Sequence, residues 1–342
     1  MKKVLYKREP HITSYPIYAN VLSMLPINEY TDTWINTNFI QLFIRMNPLY
    51  PNGLSFYFPY FLERCPFIIM NNISRDFVKQ ELKNDMINFL KNAINENKYV
   101  YFFAAESQLS LSTFFERESN YTHDIFVYGY DDASEVFYIS GSFNNGKYIN
   151  GTCTFAEMQR AHDHTDLSKD WLNGIRVFQY QPNDTIITYL PHIEAQLNEY
   201  VRSENSAIKI GEYFCFTDIF GINVYHELVH IIDTMYTEHL HFEDVRYFTF
   251  LWEHKKCMVQ RLEWLRQREF IHSESLEGYI QEYRLMEEMS KVHTSLFIKF
   301  LVNSDQAILK KLSLELKEIY NREKLILTEL ICLIAGSSKH VS

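Results

Sequence analysis

The hydrophobic pattern of this 342-residue chain changes period once. From about residue 98 to 181 apolar and aromatic residues fall in short β-type runs, and from Ile187 onward they recur at helical spacing. Between the two lies Gln181-Pro182-Asn183-Asp184, a turn signal. A chain of this length accommodates two domains. The expectation is an α+β protein, with a domain over residues 1–183 built on an antiparallel sheet and an α-helical domain over 184–342.

Within the first part, Tyr99 to Phe103 reads as a strand. Asp124 to Tyr130 reads as a second, which turns at Asp131-Asp132 into a return strand, Glu135 to Ser140. A loop from Gly141 to Gly146 leads to Lys147-Tyr148-Ile149. Thr154 and Glu157 have capping-box spacing and open a helix toward His162, and Gly174 to Gln181 is a last strand. Ser74 precedes one long amphipathic helix over Phe77, Leu82, Met86, Leu90 and Ile94. Pro16 to Leu25 reads helical, with Ser14 as its cap. Residues 40–72 are aromatic and irregular and receive no assignment. The second part predicts helices over 188–204, 213–237, 241–270, 273–302 and 304–335, interrupted by Gly211, Gly221, Gly278 and Gly336.

Composition removes several classes of function. With 33 Lys plus Arg against 43 Asp plus Glu, the net charge is −10, and neither half is basic. A nucleic-acid or anionic-membrane surface is therefore not expected. The five cysteines, Cys65, Cys153, Cys215, Cys257 and Cys332, contain no CxxC pair, so neither a disulfide framework nor a zinc ribbon is expected. The basic N-terminus has no apolar run behind it, so no signal peptide is expected. Leu325 to Ala335 is short and carries Glu329, so no membrane span is expected either. These features predict a cytoplasmic protein.

His226-Glu227-Leu228-Val229-His230 is an HExxH on a predicted helix. In zinc hydrolases two His at i and i+4 share a metal while the Glu acts on the bound water. Here Asp233 and Tyr236 stand where a longer motif would carry Gly and His. Glu243 and Glu253 are the downstream carboxylates that could supply a third ligand. On a helical wheel His226, His230 and Asp233 fall opposite Val224, Leu228, Ile231, Ile232 and Met235, as on a solvated face. No metal site is assigned, and a zinc hydrolase using His226, Glu227 and His230 stays as an alternative. His162, His164, Asp163 and Asp166 read as a solvated helix end.

His123 opens the strand His123-Asp124-Ile125-Phe126-Val127-Tyr128-Gly129-Tyr130-Asp131-Asp132. With the helix 74–97, the strand 98–104, the hairpin and the segment Gly146-Lys147-Tyr148 to Ala161, the sequence resembles the papain-like N-terminal domain of the butirosin biosynthesis protein H family. Gly221-Ile222-Asn223-Val224-Tyr225 and Trp252-Glu253-His254-Lys255-Lys256 with Arg261 extend the resemblance into the helical part. The resemblance implies a cysteine acyltransferase of antibiotic biosynthesis that moves an aminoacyl group from a carrier protein to an amine, with no cofactor. Its partner would be an acyl or peptidyl carrier protein, or a small-molecule or peptide substrate.

Such chemistry needs a thiolate at a helix N-terminus, an imidazole beside it and a polar group to orient the imidazole. His123 matches the imidazole of the family. Ser140-Gly141-Ser142 stands where the orienting acid belongs, and Asn144 and Asn145 come slightly later. The nucleophile position falls in Thr13-Ser14-Tyr15-Pro16, where Ser14 replaces a thiol. Cys65 is the only cysteine before His123. The catalytic candidates are therefore His123, Cys65 and Ser14, and a catalytically silent scaffold that binds a carrier protein or peptide is the rival.

Overall fold

The computed structural model describes residues 1–46, 53–81, 83–117, 121–211 and 217–338. The chain forms two compact units, one of Met1–Thr31 with Tyr60–Thr185 and the other of Asp32–Pro59 with Ile186–Ser342. In chain order the elements begin with β1 (Lys2–Val4), α1 (Pro16–Met24), α2 (Glu29–Thr37), β2 (Leu42–Ile44), β3 (Leu54–Phe56), α3 (Phe61–Arg64) and β4 (Ile68–Ile73). They continue with α4 (Arg75–Glu81), α5 (Met86–Asn95), β5 (Lys98–Ala105), β6 (Thr122–Asp131), β7 (Val136–Asn144), β8 (Lys147–Thr154), α6 (Phe155–Asp163) and β9 (Ile175–Tyr180). The rest are α7 (Leu190–Arg202), β10 (Ile219–Phe220), α8 (Val224–Glu238), α9 (Arg246–Gln267), α10 (Ser273–Asn303) and α11 (Gln306–Ser338). The molecule is thus mixed α and β, with an antiparallel sheet and a helical C-terminal region.

The first unit is organised by a seven-stranded sheet in the order β4-β9-β5-β6-β7-β8, with β1 added to β6. β5 pairs with β6 from Val100↔Val127 to Ala105↔Thr122, and β1 takes over the same edge at Val4↔Gly129. A register shift falls between Val127 and Gly129. A Cβ at Gly129 would lie 2.8 Å from the Lys3 carbonyl, so only glycine lets β1 approach this closely. Direct partners share a face. Tyr101, Phe126 and Ser140 therefore share one face, and Val100, Val127 and Val177 the other. α1 packs on the first face, where Asn20 Oδ1 accepts from Ser140 Oγ at 3.2 Å and from Tyr148 OH at 2.7 Å. α5 and α6 cover the opposite face with buried Leu90, Ile94, Met158 and Ala161.

Local rules explain most ends, with two corrections. Thr154 and Glu157 form the expected capping box, Glu157 N to Thr154 Oγ1 at 3.1 Å and Thr154 N to Glu157 Oε2 at 2.7 Å. The single helix expected after Ser74 is instead α4 and α5. Lys83 and Asn84 adopt φ of 51° and 58°, which a continuous helix excludes, and Asp85 caps the second helix by accepting from Asn88 N. Leu82 lies outside the described residues. Ser14 is not the cap of α1: that position is Tyr15, with Pro16 starting the helix.

In the second unit, residues 32–59 return to the C-terminal helices because of Arg261. Its guanidinium is 1% exposed and donates to the carbonyls of Asn36 at 2.8 Å, Asn38 at 2.5 Å and Phe39 at 3.2 Å. The Asn36 carbonyl lies in the last turn of α2 and those of Asn38 and Phe39 in the segment that follows, so one side chain from α9 ties down the exit of that helix, while Gln196 donates to the Thr37 carbonyl at 2.7 Å. β2 then pairs with β3 and β10 in a small sheet, where Phe43 stacks on Phe220 at 5.9 Å and Tyr57 meets Phe220 edge-on at 5.1 Å.

A fully buried ion pair lies within the helices. Lys255 Nζ donates to both Glu323 oxygens at 2.6 and 2.7 Å, and neither side chain has any exposure. Tyr200 and Tyr283 donate to the same carboxylate at 3.2 and 3.4 Å. Lys255 also donates to His254 Nδ1 at 2.9 Å, while His254 Nε2 donates to the Ile40 carbonyl at 2.9 Å. Burial and the Lys255 charge hold His254 neutral, with its pKa well below the usual value. Removing one member of a buried pair strands the other. Glu323→Gln is expected to destabilise the protein by about 3–5 kcal/mol in urea unfolding. The double substitution Lys255→Met with Glu323→Leu is expected to recover most of that loss.

Candidate functional site

β6 begins at the edge of the sheet face that carries α1, and its first residues assemble a charged cluster. Asp124 stands opposite Phe103 on β5, and Tyr101, two residues earlier, donates its hydroxyl to Asp124 Oδ2. Asp124 Oδ1 lies 2.6 Å from His123 Nδ1. The side chains are sequence neighbours, so the approach is off the N–H direction and acts as an ion pair rather than an aligned hydrogen bond.

Glu106, in the turn after β5, is fully buried. Its Oε2 accepts from Ser112 Oγ at 2.7 Å, and its Oε1 faces His123 Nδ1 at 3.9 Å without a hydrogen bond. The backbone fixes this turn, since Glu106 N donates to the Tyr121 carbonyl at 2.8 Å.

The His123 side chain is 31% exposed and flanked by rings. Tyr121 is nearly parallel to it at 5.9 Å and stacks in turn on Phe114 at 3.8 Å, while Phe103 is 6.3 Å away. Burial lowers the His123 pKa, but Asp124 and then Glu106 outweigh it and raise the value to about 9. Burial likewise raises the Glu106 carboxyl against the opposing Ser112 hydrogen bond and His123 charge. At neutral pH His123 is therefore an imidazolium. Its Nδ1 is engaged by carboxylates, and among the described residues no protein group pairs with its Nε2.

The residues singled out in the sequence do not converge here. Among the described residues, Asp124 and Glu106 are the polar groups within reach of His123; Cys65 and Ser14 are not among them. Cys65 precedes β4, whose Ile68 pairs with Tyr180, beside Gln179 opposite Lys98 at the start of β5. His123 pairs with Ala104, six residues further along β5, or about 20 Å at ~3.3 Å per residue. Cys65 is also 4% exposed, and burial pushes its thiol up to about 12. It is a buried core residue rather than the thiol of a His123 pair. Cys153 and Cys257 are buried, Cys332 is exposed on α11, and Cys215 lies outside the described residues. Ser14 is half-buried in the turn before α1.

The acid absent after the return strand is replaced by two that sequence reading did not select. Ser140 occupies that place and bonds to α1 instead. Asp124 was visible as a neighbour of His123. Glu106 becomes adjacent only through the β5–β6 register.

His162, expected in a solvated helix end, is 9% exposed instead. Arg75 approaches its Nδ1 at 3.3 Å, and its Nε2 donates to Asn84 Oδ1 at 3.0 Å. Burial and Arg75 lower it to about 4, so it is neutral at ordinary pH.

The HExxH helix is α8. His226 and His230 are exposed, and His226 packs on the Tyr320 ring at 4.2 Å. Asp233, on the same face, pairs with Lys317 at 3.3 Å. Of the two downstream carboxylates, Glu243 is an exposed partner of His241 and Glu253 is buried. No group of three or more His, Cys, Asp or Glu among the described residues could hold a metal ion. The donor set for zinc is incomplete there. Among the same residues, no helix is long and apolar enough to cross a membrane.

No protein-family model matches the chain, and no curated protein matches it.

The raised pKa of His123 links it to stability. The imidazolium contribution is complete below the unfolded value near 6.5 and is lost as pH rises through about 9. His123→Gln should therefore lower the urea midpoint at pH 6 and change it little at pH 9.5. Equal losses at both pH values would contradict the ion pair.

Proposed function

We propose that the first unit is a binding module on a papain-like scaffold of the butirosin protein H type, receiving the acyl cargo of a carrier protein without covalent chemistry. The carrying observation is that His123 is held by two carboxylates, Asp124 and Glu106, and that among the described residues no thiol or hydroxyl nucleophile contacts it. A proton acceptor must be neutral to activate a nucleophile, and an imidazolium of pKa about 9 is not. The same cation suits recognition of a polarised carbonyl or an anionic group through Nε2. The resemblance of the His-led hairpin to that family supports a carrier-borne acyl ligand. A role in cytoplasmic antibiotic biosynthesis follows from the same resemblance.

A catalytic reading rests on Ser14, placed just before α1 on the sheet face that bears Asp124. Its hydroxyl would attack the thioester carbonyl, the carbon–sulfur bond would break, and His123 would pass the serine proton to the leaving thiolate. That route requires deprotonated His123 and gives activity that rises with pH toward about 9.

Intact-mass measurement separates the two. After incubation with the glycyl thioester of N-acetylcysteamine at pH 7 and pH 9, the binding reading expects unmodified protein and intact thioester. It also expects chemical-shift changes at Tyr121 and His123. An acyl adduct lost in Ser14→Ala and in His123→Gln would overturn it in favour of acyl transfer.

A further inference from the structure

Two arginines stand near the His123 end of the sheet, and their surroundings differ. Each of the three guanidinium nitrogens of Arg75 has a partner: Nε pairs with Asp170 at 2.7 Å, Nη1 approaches His162 at 3.3 Å and Nη2 donates to the Phe103 carbonyl at 2.7 Å. Arg176, on β9, has no hydrogen bond or ion pair among the described residues, although its Nε is buried. A buried guanidinium nitrogen without an acceptor is costly, because this group donates five hydrogen bonds and remains charged. The guanidinium carbon lies 5.9 Å from the centre of the Trp171 ring, and the Arg176 charge also acts on the Tyr101 phenol.

The register ties Arg176 to the His123 cluster. Arg176 stands directly opposite Tyr101, so the two share a face. Tyr101 donates to Asp124, which contacts His123. Trp171 meets Phe103 edge-on at 6.0 Å, and Phe103 is the residue opposite Asp124. Trp171 is 59% exposed and nearby Leu167 is 61% exposed, so a large ring and an aliphatic side chain face solvent beside a partly exposed guanidinium that forms no ion pair among the described residues. A wholly structural arginine would be expected to find an acceptor, as Arg75 does.

We propose that Arg176 and Trp171 form a recognition site for a carboxylate borne on a planar, apolar group. The guanidinium takes the carboxylate through the N–H donors of its two Nη atoms, since Nε is buried, a paired geometry that matches the two oxygens. The exposed indole of Trp171 provides the stacking surface for the attached ring. The ligand class is an aromatic or similarly flat carboxylic acid, bound by ion pairing and stacking with no bond made or broken. The site rests on the β9–β5 register and on Arg176, not on the carrier-protein reading. The two can therefore fail separately.

Benzoate is the probe, with benzamide as its uncharged counterpart and inorganic phosphate as an anion without a ring. Binding to the full chain is read from the indole N–H resonance of Trp171, assigned by Trp171→Phe. The resonance should shift in a saturable way with benzoate and at least tenfold more weakly with benzamide. Arg176→Gln, with its fold checked by circular dichroism and melting, should raise the benzoate dissociation constant at least tenfold. Arg176→Lys should give a smaller rise, because the charge stays and the fork is lost. Trp171→Ala, at an exposed position that spares the core, should weaken binding as followed by the backbone amides of β9. Equal binding of benzoate and benzamide, benzoate affinity unchanged by Arg176→Gln, or phosphate binding as tightly as benzoate would overturn the proposal. So would no shift with benzoate at millimolar concentration.

Discussion

The ladders of β6 fix almost everything that distinguishes the first unit. This strand holds β5 along one edge, gives the continuation of that edge to β1 beyond Val127, and holds β7 along the other. A one-residue slip would move every side chain to the opposite face and separate Asp124 from Tyr101. Gly129 protects the register at one end by admitting the Lys3 backbone, and the Tyr101–Asp124 bond marks it nearer the other. The β5–β6 ladder brings Glu106 behind His123, and the β5–β9 ladder on the other edge of β5 aligns Arg176 with Tyr101.

The charged cluster follows from this placement. A histidine beside a single exposed carboxylate would titrate near its ordinary value. Here the carboxylate is 4% exposed and a second, fully buried one stands behind it. Weak solvent screening lets both act on one imidazole. The second unit shows a different solution to buried charge. Lys255 and Glu323 are matched in full and supported by tyrosine hydroxyls. Both of those side chains are wholly buried, whereas His123 is 31% exposed and, among the described residues, keeps one nitrogen available.

Sequence periodicity was a good guide wherever structure is local. The hairpin of β6 and β7, the capping box at Thr154 and most of the C-terminal helices are legible, because alternation, cap chemistry and helical stripes are short-range signals. The helix expected over 213–237 starts only at Val224, after β10 and a turn, and 213–216 lie outside the described residues. β1, α2, β2 and β3 are not legible. They are short, and they are held by distant partners, as Arg261 holds the end of α2. The break between α4 and α5 depends on two successive left-handed residues that interrupt an otherwise helical pattern. In the site, His123 was legible through its strand position and a family resemblance. Glu106, Tyr101 and Arg176 were not, since only strand pairing makes them neighbours. Cys65 is the only cysteine before His123 in the chain, but the strand register sets it about 20 Å from the imidazole.

The chemistry of the site therefore turns on the state of one imidazole. The most direct measurement is an NMR titration of the His123 ring resonances between pH 5 and 10.5, assigned by His123→Gln. A midpoint near 9, moving down toward the ordinary range in Asp124→Asn, is the result expected of an imidazolium held by two carboxylates. A midpoint at or below about 6.5 would contradict it, since His123 would then be neutral and free to act as a base.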